Sequence, residues 1–539
     1  MLCVIGDYMT QLQAQQTNNN FTGIVFKKTG NFWIDNGIVG LYSILISHQA
    51  HFEQLFGMQL SPLEADTLIV GVNQKCADSF FAELKRLLIE SFVYETNNYG
   101  FYYDQAGKQF VLSRKRDLRT DKKYYFQGFV PKPDGKIPLK GLSVSVHKEL
   151  ENFLVKNKTY KLSIENEIPT SKMIFALSNK TIVNSDMLRP GRKPCSFCGD
   201  RFKKLISLDR MHFPLLVGFP NLKTFYSNLD SEFRLCGKCS LAALAGSYKS
   251  YFSIHNAYLS CFILYDPDLS EIYRLQSEAG SLTGNPYGNF DKQSVITTYL
   301  YETLFVFLFF LFEKLRCDGK QEWFNRVTTK KIIGILALKQ GNTVIVEHMV
   351  EFSRITELFV FFEKSRNLSL TGRGKKEAIE WTAFLNALYN KTDENSVLRN
   401  HICERILNFT KTNDLLEEYL FRSERTNKNL FYFIRLYNKE VAGMEESMIT
   451  LCAAIGGEIG RKSKAKDTKG FLYAIRNCRC QSEFIKILSQ IQFPLEISYT
   501  RNLFDSLQEE NWEDYKSLIS IFAANQFFYN PKKEDTENE

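Results

Sequence analysis

The first 290 residues alternate between short apolar runs and amphipathic segments, a pattern that predicts mixed α and β structure. The run Leu68–Val72 has the length and composition of a buried strand, and a helix is expected from Asp78 onward. In that helix the apolar residues fall on one face, at Phe80, Phe81, Leu84, Leu87, Leu88 and Phe92. Three further segments have strand character, at residues 99–112, 141–146 and 262–265.

The pattern of apolar and polar residues changes after a predicted β-hairpin at residues 331–353, whose turn lies at 340–342. From residue 354 onward, apolar residues recur at helical spacing and short polar connectors separate the segments, as in a helical bundle. We expect helices at Ile355–Lys364, Lys376–Asn390, Ser396–Asn408, Asp414–Ser423, Gly443–Ile455 and Trp512–Phe522. The apolar run Leu304–Phe312 is shorter than the about 20 residues that cross a bilayer, and we interpret it as a buried helix.

These patterns predict an α+β fold, in which a mixed N-terminal α/β region carries an inserted four-cysteine zinc module and an all-α C-terminal bundle follows. The expected domains are an N-terminal α/β domain (1–185), the zinc module (186–245), a continuation of the α/β region with the hairpin (246–353), the helical bundle (354–530) and a disordered tail (531–539).

Composition narrows the class of protein only a little. Hydrophobic residues make up 44% and charged residues 24% of the 539, a globular balance, and a formal charge of +8 is informative only where it is clustered. The N-terminus has no basic segment followed by an apolar core, so no signal peptide is predicted. We expect a soluble, cytoplasmic protein.

Four of the 12 cysteines form two tight pairs, Cys195 with Cys198 and Cys236 with Cys239. A C-x2-C turn presents two thiolates at the separation that tetrahedral zinc requires, so two such turns predict one zinc ion. The 37 residues between the pairs (199–235) exceed the usual interval of about 15–20, which indicates an insertion.

The alternatives are two unrelated pairs or a redox motif, but a redox motif needs only one C-x2-C. A zinc ion with four thiolate ligands has no open position, so a structural role is favoured over a catalytic one. His212, within the insertion, is a further candidate ligand, although a lone histidine more often belongs to a core or a surface.

No catalytic motif is present, and the string Gly456–Ser463 has the wrong spacing for a phosphate-binding loop. We therefore expect a protein that is not an enzyme. Two alternatives remain. One is a zinc-stabilised nucleic-acid enzyme, either a nuclease or an RNA-modifying enzyme, because scattered acidic residues leave no local signature; the other is a zinc-bearing adaptor with no nucleic-acid role.

Basic residues cluster in three parts of the chain, which suits contact with a nucleic-acid backbone. The predicted contacts are Arg114, Lys115, Arg116, Arg119, Lys122 and Lys123 before an aromatic run, Arg192, Lys193, Lys203 and Lys204 around the first cysteine pair, and Arg461, Lys462, Lys464 and Lys466 in an expected mobile loop. For each cluster the competing interpretation is a solvated surface segment.

The cysteine pairs near the middle of the chain, a helical C-terminal third and the segment Asn31–Leu45 together resemble the CXXC–CXXC family of CRISPR-associated proteins. These are large subunits of type I effector complexes (Cascade), of the I-A and I-B kinds. In Asn31–Leu45 an expected turn at Asp35-Asn36-Gly37 leads into an apolar helix, as in the opening of that family.

The resemblance implies a non-catalytic subunit that binds the 5′ handle of a guide RNA and the duplex DNA beside the target. It implies further that the subunit reads the short motif there (the PAM), stabilises the R-loop and helps recruit the helicase-nuclease. The implied partners are guide RNA, target DNA, other effector subunits and the helicase-nuclease, with no membrane. Candidate PAM-reading positions are Gly284, Asn285 and Asn289, with a second polar loop at residues 15–20; surface turns are the competing interpretation.

Overall fold

The computed structural model describes most of the chain. The described residues are 21–118, 129–132, 135–177, 183–208, 212–213, 233–255, 257–278, 299–317, 325, 327, 330–340, 343–366, 368, 378–388, 393–499 and 501–529. They form two compact units, the first comprising Met1–Ser281 with Ile332–Glu351 and the second Leu282–Lys331 with Phe352–Glu539.

The first unit opens with a three-stranded antiparallel sheet of order β1-β3-β2, which is flanked by three helices. The strands are β1 (Phe21–Lys27), β2 (Gln59–Leu60) and β3 (Thr67–Asn73), and the helices are α1 (Phe32–Ser47), α2 (Gln49–Phe56) and α3 (Ala77–Glu90). The predicted strand at residues 68–72 and the predicted helix from Asp78 are confirmed.

A satellite lobe with its own small core follows. Its elements are β4 (Val93–Asp104), β5 (Gln109–Leu118), β6 (Phe129–Lys132), β7 (Lys136–Pro138), α4 (Val144–Lys156), β8 (Glu167–Pro169) and β9 (Ile174–Leu177). Strands β4 and β5 form a long hairpin, whereas β6 pairs with β9 and β7 with β8. The core of the lobe is built on Phe110, Leu150 and Ile168.

The cysteine region and a four-stranded sheet complete the first unit. Their elements are β10 (Pro190–Pro194), β11 (Arg201–Phe202), β12 (Ile206–Ser207), β13 (Arg234–Leu235), α5 (Gly237–Ala245), β14 (Tyr251–His255), β15 (Tyr258–Tyr265), α6 (Leu269–Glu278), β16 (Lys331–Gln340) and β17 (Thr343–Phe352). The sheet has the order β14-β15-β16-β17, so the predicted strand at 262–265 and the predicted hairpin are confirmed.

The expected turn at Asp35-Asn36-Gly37 is wrong. Helix α1 begins before these three residues, so they lie inside the helix. The N-cap is Asn31, whose side-chain oxygen accepts from the backbone N–H groups of Trp33 and Ile34. The Asp35 carboxylate reaches back to accept from the N–H groups of Thr29 and Gly30. The side chains at the start of α1 therefore cap the helix and hold the residues that precede it.

The predicted strand character of residues 141–146 is also wrong. Helix α4 begins at Val144, and the hydroxyl of Ser143 accepts from the N–H of Val146 at 3.4 Å as an N-cap. The β-branched residues here occupy the first turn of an amphipathic helix, and Leu150 on its inner face is buried in the core of the lobe. Local β propensity is outweighed by this capping and burial.

The second unit is helical in its described residues. The helices are α7 (Leu300–Cys317), α8 (Ile355–Arg366), α9 (Trp381–Ala387), α10 (Asp393–Asn408), α11 (Asn413–Ser423), α12 (Lys428–Glu440), α13 (Glu446–Ala465), α14 (Gly470–Arg476), α15 (Gln481–Leu495), α16 (Arg501–Ser506) and α17 (Trp512–Phe528). Helix α7, the predicted buried helix, belongs to this unit, whereas the predicted domain 246–353 grouped it with the α/β region.

The core of the second unit combines aromatic packing with a buried ion pair. Trp381 is buried and its ring contacts several phenylalanine rings, among them Phe305 and Phe362 at centroid distances of 5.3 Å. Arg399 and Glu302 are both fully buried and bonded to each other through two guanidinium nitrogens. This pair connects α10 to α7.

The α+β fold class, with its helical C-terminal region, is confirmed. Within the described residues no helix combines the length and the apolar content that crossing a membrane requires. The candidate PAM positions Gly284, Asn285 and Asn289, the loop at 15–20 and the tail at 531–539 lie outside the described residues.

Candidate metal centre and basic surface

The first cysteine pair lies on a tight turn between strands β10 and β11. The N–H of Cys195 donates to the carbonyl of Asp200 at 2.9 Å, and the N–H of Gly199 donates to the carbonyl of Cys195 at 3.1 Å. Gly199 has a φ of 73°, a left-handed conformation that favours glycine. This turn directs Cys195 and Cys198 to the same side of the ribbon.

The second pair opens a helix. Cys236 is the N-cap residue of α5, and its sulfur accepts from the N–H of Cys239 at 3.4 Å. Between them, a β-carbon at Gly237 would lie 2.9 Å from the β-carbon of Met187, so a larger residue has no room there. A helix N-terminus stabilises negative charge on a thiolate.

The two turns meet at one point. The four sulfur atoms of Cys195, Cys198, Cys236 and Cys239 all lie within 4.8 Å of one another, and those of Cys198 and Cys236 are 3.8 Å apart. Tetrahedral zinc with Zn–S bonds of about 2.3 Å places its sulfurs about 3.8 Å apart. Three of the cysteines are buried and Cys198 is half-buried, so the cluster can hold one metal ion away from bulk water.

The thiols compete for protons because they are so close together. Hydrogen bonds from Cys198 and the two other thiols lower the pKa of Cys195. The hydrogen bond with Cys195 raises the pKa of Cys236. The N–H of Cys236 also donates to the sulfur of Cys195 at 3.3 Å. A divalent cation would replace the protons that these thiols share.

The ammonium group of Lys238, which lies inside the second cysteine pair, forms an ion pair with Asp200 at 3.2 Å. Asp200 also pairs with Lys27 at 3.1 Å, so one carboxylate on the first turn joins strand β1 to helix α5. Burial raises the pKa of Asp200, but the hydrogen bonds and charges of the two lysines together lower it by more. The pKa of Asp200 therefore lies below its usual value. Nothing in the sequence predicts this role of Asp200, because a single aspartate after a C-x2-C carries no local signal.

His212 is not part of the four-cysteine cluster. It is fully buried, and its Nε2 lies 2.7 Å from the hydroxyl of Ser240 on α5. Its carbonyl accepts from the indole N–H of Trp33 at 3.0 Å. His212 therefore helps pack α5 against α1.

The β10–β11 ribbon beside the four-cysteine cluster is strongly basic. All five residues of β10 are exposed, including Arg192 and Lys193, and Arg201 and Lys203 are exposed on the facing side. None of these four cations has an ion-pair partner among the described residues. In contrast, Lys204 and Arg189 pair with Asp186 at 3.0 and 3.1 Å.

The ribbon owes its shape to a bulge at Gly191. The register of β10 against β11 shifts between Pro190 and Lys193, and a β-carbon at Gly191 would lie 2.3 Å from the backbone nitrogen of Lys203. The bulge brings the two basic stretches into close backbone contact. We call the exposed cations Arg192, Lys193, Arg201 and Lys203 the basic ribbon.

The first predicted cluster, which begins at Arg114, lies partly on strand β5. Arg114 and Lys115 are exposed and make no ion pair with any described residue, whereas Arg116 pairs with Glu90. The guanidinium of Arg114 donates to the hydroxyl of Tyr99 at 3.4 Å. Arg119, Lys122 and Lys123 lie outside the described residues.

The third cluster was expected on a mobile loop, and this is wrong. Helix α13 continues to Ala465, because Gly456 and Gly460 allow it to pack closely against α17. Its cations are largely engaged: Arg461 pairs with Glu458, Lys466 with Glu496, and Lys464 donates to the carbonyl of Tyr529. Lys462 makes no ion pair with a described residue, so this cluster offers less free charge than the basic ribbon.

Comparison of the chain with protein-family models gives no match. Comparison with curated proteins likewise gives no significant match.

Proposed function

We propose that this chain is a non-catalytic nucleic-acid-binding subunit whose four cysteines hold one structural zinc ion. The observation that carries the proposal is the basic ribbon, four exposed cations that form no ion pair with a described residue and that flank a four-cysteine cluster. Four thiolates suit zinc and leave it no open position for a substrate, which favours a structural role for the ion.

The charge distribution favours a polyanionic partner. Arginine and lysine side chains without acidic neighbours bind phosphates and release the condensed counterions of a nucleic acid. The ribbon is short, bulged and held at the four-cysteine cluster, so the backbone positions that carry its cations are fixed relative to one another. Phosphate contacts of this kind set position and orientation but carry no sequence information.

Within this class we propose the large subunit of a type I CRISPR effector complex of the cytoplasm. This assignment rests on the resemblance of the cysteine pairs, of residues Asn31–Leu45 and of the helical C-terminal region. In this role the chain contacts the 5′ handle of the guide RNA and the PAM-side duplex, stabilises the R-loop and helps recruit the helicase-nuclease. One structural relationship supports it: Asn31–Leu45 packs on the helix that begins at Cys236, so both motif-like segments form one substructure.

A binding titration tests the nucleic-acid interface. The zinc-loaded full chain is mixed with labelled duplex DNA at several salt concentrations, and the slope of log Kobs against log salt is measured. Neutralising the four cations of the basic ribbon to alanine should reduce the slope by up to about 3 to 4, because each phosphate contact contributes about 0.9. The control R461A/K466A, which removes cations already paired, should change the slope by less than about 1.

An unchanged slope in the ribbon variant would overturn the interface. The CRISPR assignment has a separate test, which is purification of the tagged full chain from its own cells and sequencing of the RNA bound to it. The expected RNAs share a constant 5′ segment followed by variable spacers. RNA no different from that of a mock purification would refute the assignment.

A further inference from the structure

Helix α4 of the satellite lobe has one face in the core of the lobe and an opposite face that is open. On the inner face Leu150 is buried, and Val146 and Phe153 pack against the same core. On the outer face Val144 and Val155 keep 89% and 76% of their surface exposed. A single exposed apolar residue is ordinary, but two on one face of a short helix suggest a contact surface.

The outer face carries a stripe of four residues, Val144, Lys148, Glu151 and Val155, spaced four, three and four positions apart. At 3.6 residues per turn these four lie within about 60° of one another around the helix axis. The same alternation of three and four residues defines the contact positions of a coiled coil. All four are exposed, and neither Lys148 nor Glu151 makes an ion pair with a described residue. The stripe is therefore open to a second helix.

The order of these residues makes the stripe complementary to its own reverse. When two copies of α4 lie antiparallel about a two-fold axis midway along the stripe, Val144 faces Val155 of the second copy. Lys148 then faces Glu151 of the second copy, and the two-fold axis repeats both contacts. A parallel arrangement would instead place like charges opposite each other, which costs free energy. The charges thus favour one orientation of one partner, a second copy of the same helix.

We propose that α4 is a self-association surface, at which two copies of the chain pair this helix antiparallel through the stripe of Val144, Lys148, Glu151 and Val155. The valines supply the apolar contact, and the charged residues between them set the orientation. The inference goes beyond the proposed function and does not depend on it, because no nucleic acid takes part.

The size of the helix limits the strength of the contact. With 13 residues, α4 is about 20 Å long, and each copy contributes only four side chains to the stripe. Such a contact buries less than the about 1,200–2,000 Å² that stable interfaces bury in total. We therefore expect a reversible dimer that forms as the protein concentration rises, not a permanent one.

Sedimentation equilibrium of the full chain without nucleic acid, from about 5 to about 300 μM, tests the proposal. The parent should change from monomer to dimer within this range. K148E would set two pairs of carboxylates opposite each other and E151K two pairs of ammonium groups, so each should weaken association at least tenfold. The double variant K148E/E151K restores opposite charges at every contact and should return to within about threefold of the parent.

An equimolar mixture of K148E and E151K separates a lost contact from a damaged lobe. In the mixture each carboxylate of one variant faces an ammonium group of the other, so heterodimers should form although neither variant associates alone. V144S/V155S removes the apolar contacts and should weaken association at least tenfold. K75E makes the same change of charge as K148E at an exposed lysine outside the lobe, and it should leave the affinity within about twofold of the parent.

Three results would overturn the inference. A parent that stays monomeric at the highest concentration shows that α4 does not bind a second copy. A parent dimer that K148E and E151K leave unchanged associates through another surface. A mixture of K148E and E151K that stays monomeric, while far-ultraviolet circular dichroism shows both variants folded, excludes the pairing of Lys148 with Glu151.

Discussion

Gly37 on α1 lies against the carbonyl oxygen of Ala242 on α5, so closely that a β-carbon at position 37 would stand 1.8 Å from that oxygen. Around this contact the indole N–H of Trp33 donates to the carbonyl of Ala243 at 2.8 Å, and the amide of Asn36 donates to the carbonyl of Gly246 at 2.6 Å. Because Cys236 is the N-cap of α5, the four-cysteine cluster and the N-terminal helix share one junction.

Gly37→Ala should therefore destabilise the first unit by about 2–3 kcal/mol, since the helices must separate to admit a methyl group. The control is Gly23→Ala on strand β1, where a β-carbon would meet nothing within 4 Å. That substitution should be neutral or stabilising by about 0.5–1 kcal/mol. Urea unfolding of both variants measures the difference, and equal midpoints would contradict the close contact.

Cys236→Ser should abolish metal binding. The parent is expected to contain one zinc ion per chain by mass spectrometry and the variant none, with the first unit unfolding at lower temperature because metal binding and folding are coupled. Cys480→Ser, at an exposed cysteine outside the cluster, should keep both properties. A metal-free parent that unfolds at the same temperature with and without added zinc would refute the metal site.

Breaking the buried ion pair of the second unit should be costly. Glu302→Gln leaves the Arg399 guanidinium buried without its counter-charge, and we expect a loss of about 3–5 kcal/mol in the free energy of unfolding. The double variant Glu302→Leu with Arg399→Met removes both charges and should recover most of that loss. Denaturant unfolding of the three proteins checks this, and a double variant as unstable as the single one would count against the argument.

Glu83 should contribute a pH-dependent stability. Its carboxylate is held by Arg86 and His51, and the hydrogen bond from Arg86 is the main cause that lowers its pKa from 4.5 to about 2. Since the folded-state pKa lies below the unfolded value, the contribution is present at neutral pH and is lost as the pH falls from about 4.5 to about 2.

Glu83→Gln should therefore cost about 0.5–1 kcal/mol at pH 7, because the ion pairs are partly exposed, and almost nothing near pH 2. Glu149→Gln, at an exposed glutamate without an ion pair among the described residues, should show no such trend. Urea unfolding as a function of pH measures both. A difference between parent and Glu83→Gln that stays constant with pH would contradict the assignment.

Local patterns in the sequence predict the elements well where burial decides them. Three predicted elements are apolar runs that can be buried in only one way. They are the strand at Leu68–Val72, the buried helix around Leu304–Phe312 and the hairpin at 331–353. The cysteine spacing likewise predicts which four side chains meet, because the ligand chemistry specifies the contact.

The sequence predicts poorly where a distant partner decides the structure. Gly456 and Gly460 interrupt a helical pattern, and only their contact with Ile519 and Ala523 on α17 explains why the helix continues. Ion pairing cannot be predicted from the sequence either. The cluster at 461–466 and the basic ribbon look equivalent in the sequence, and only the structure shows which of their cations lie beside acidic residues.

The junction between α1 and α5 has a consequence for synthesis. Trp33 and its acceptor at Ala243 are 210 positions apart, and ribosomes add about 5–20 residues per second, so α1 waits roughly 10–40 s for its partner to be translated. Throughout that interval the face of α1 that will meet α5 is open on the nascent chain. During that interval we expect the early apolar helix to be a binding site for a chaperone at the ribosome and to be open to wrong association between neighbouring nascent chains.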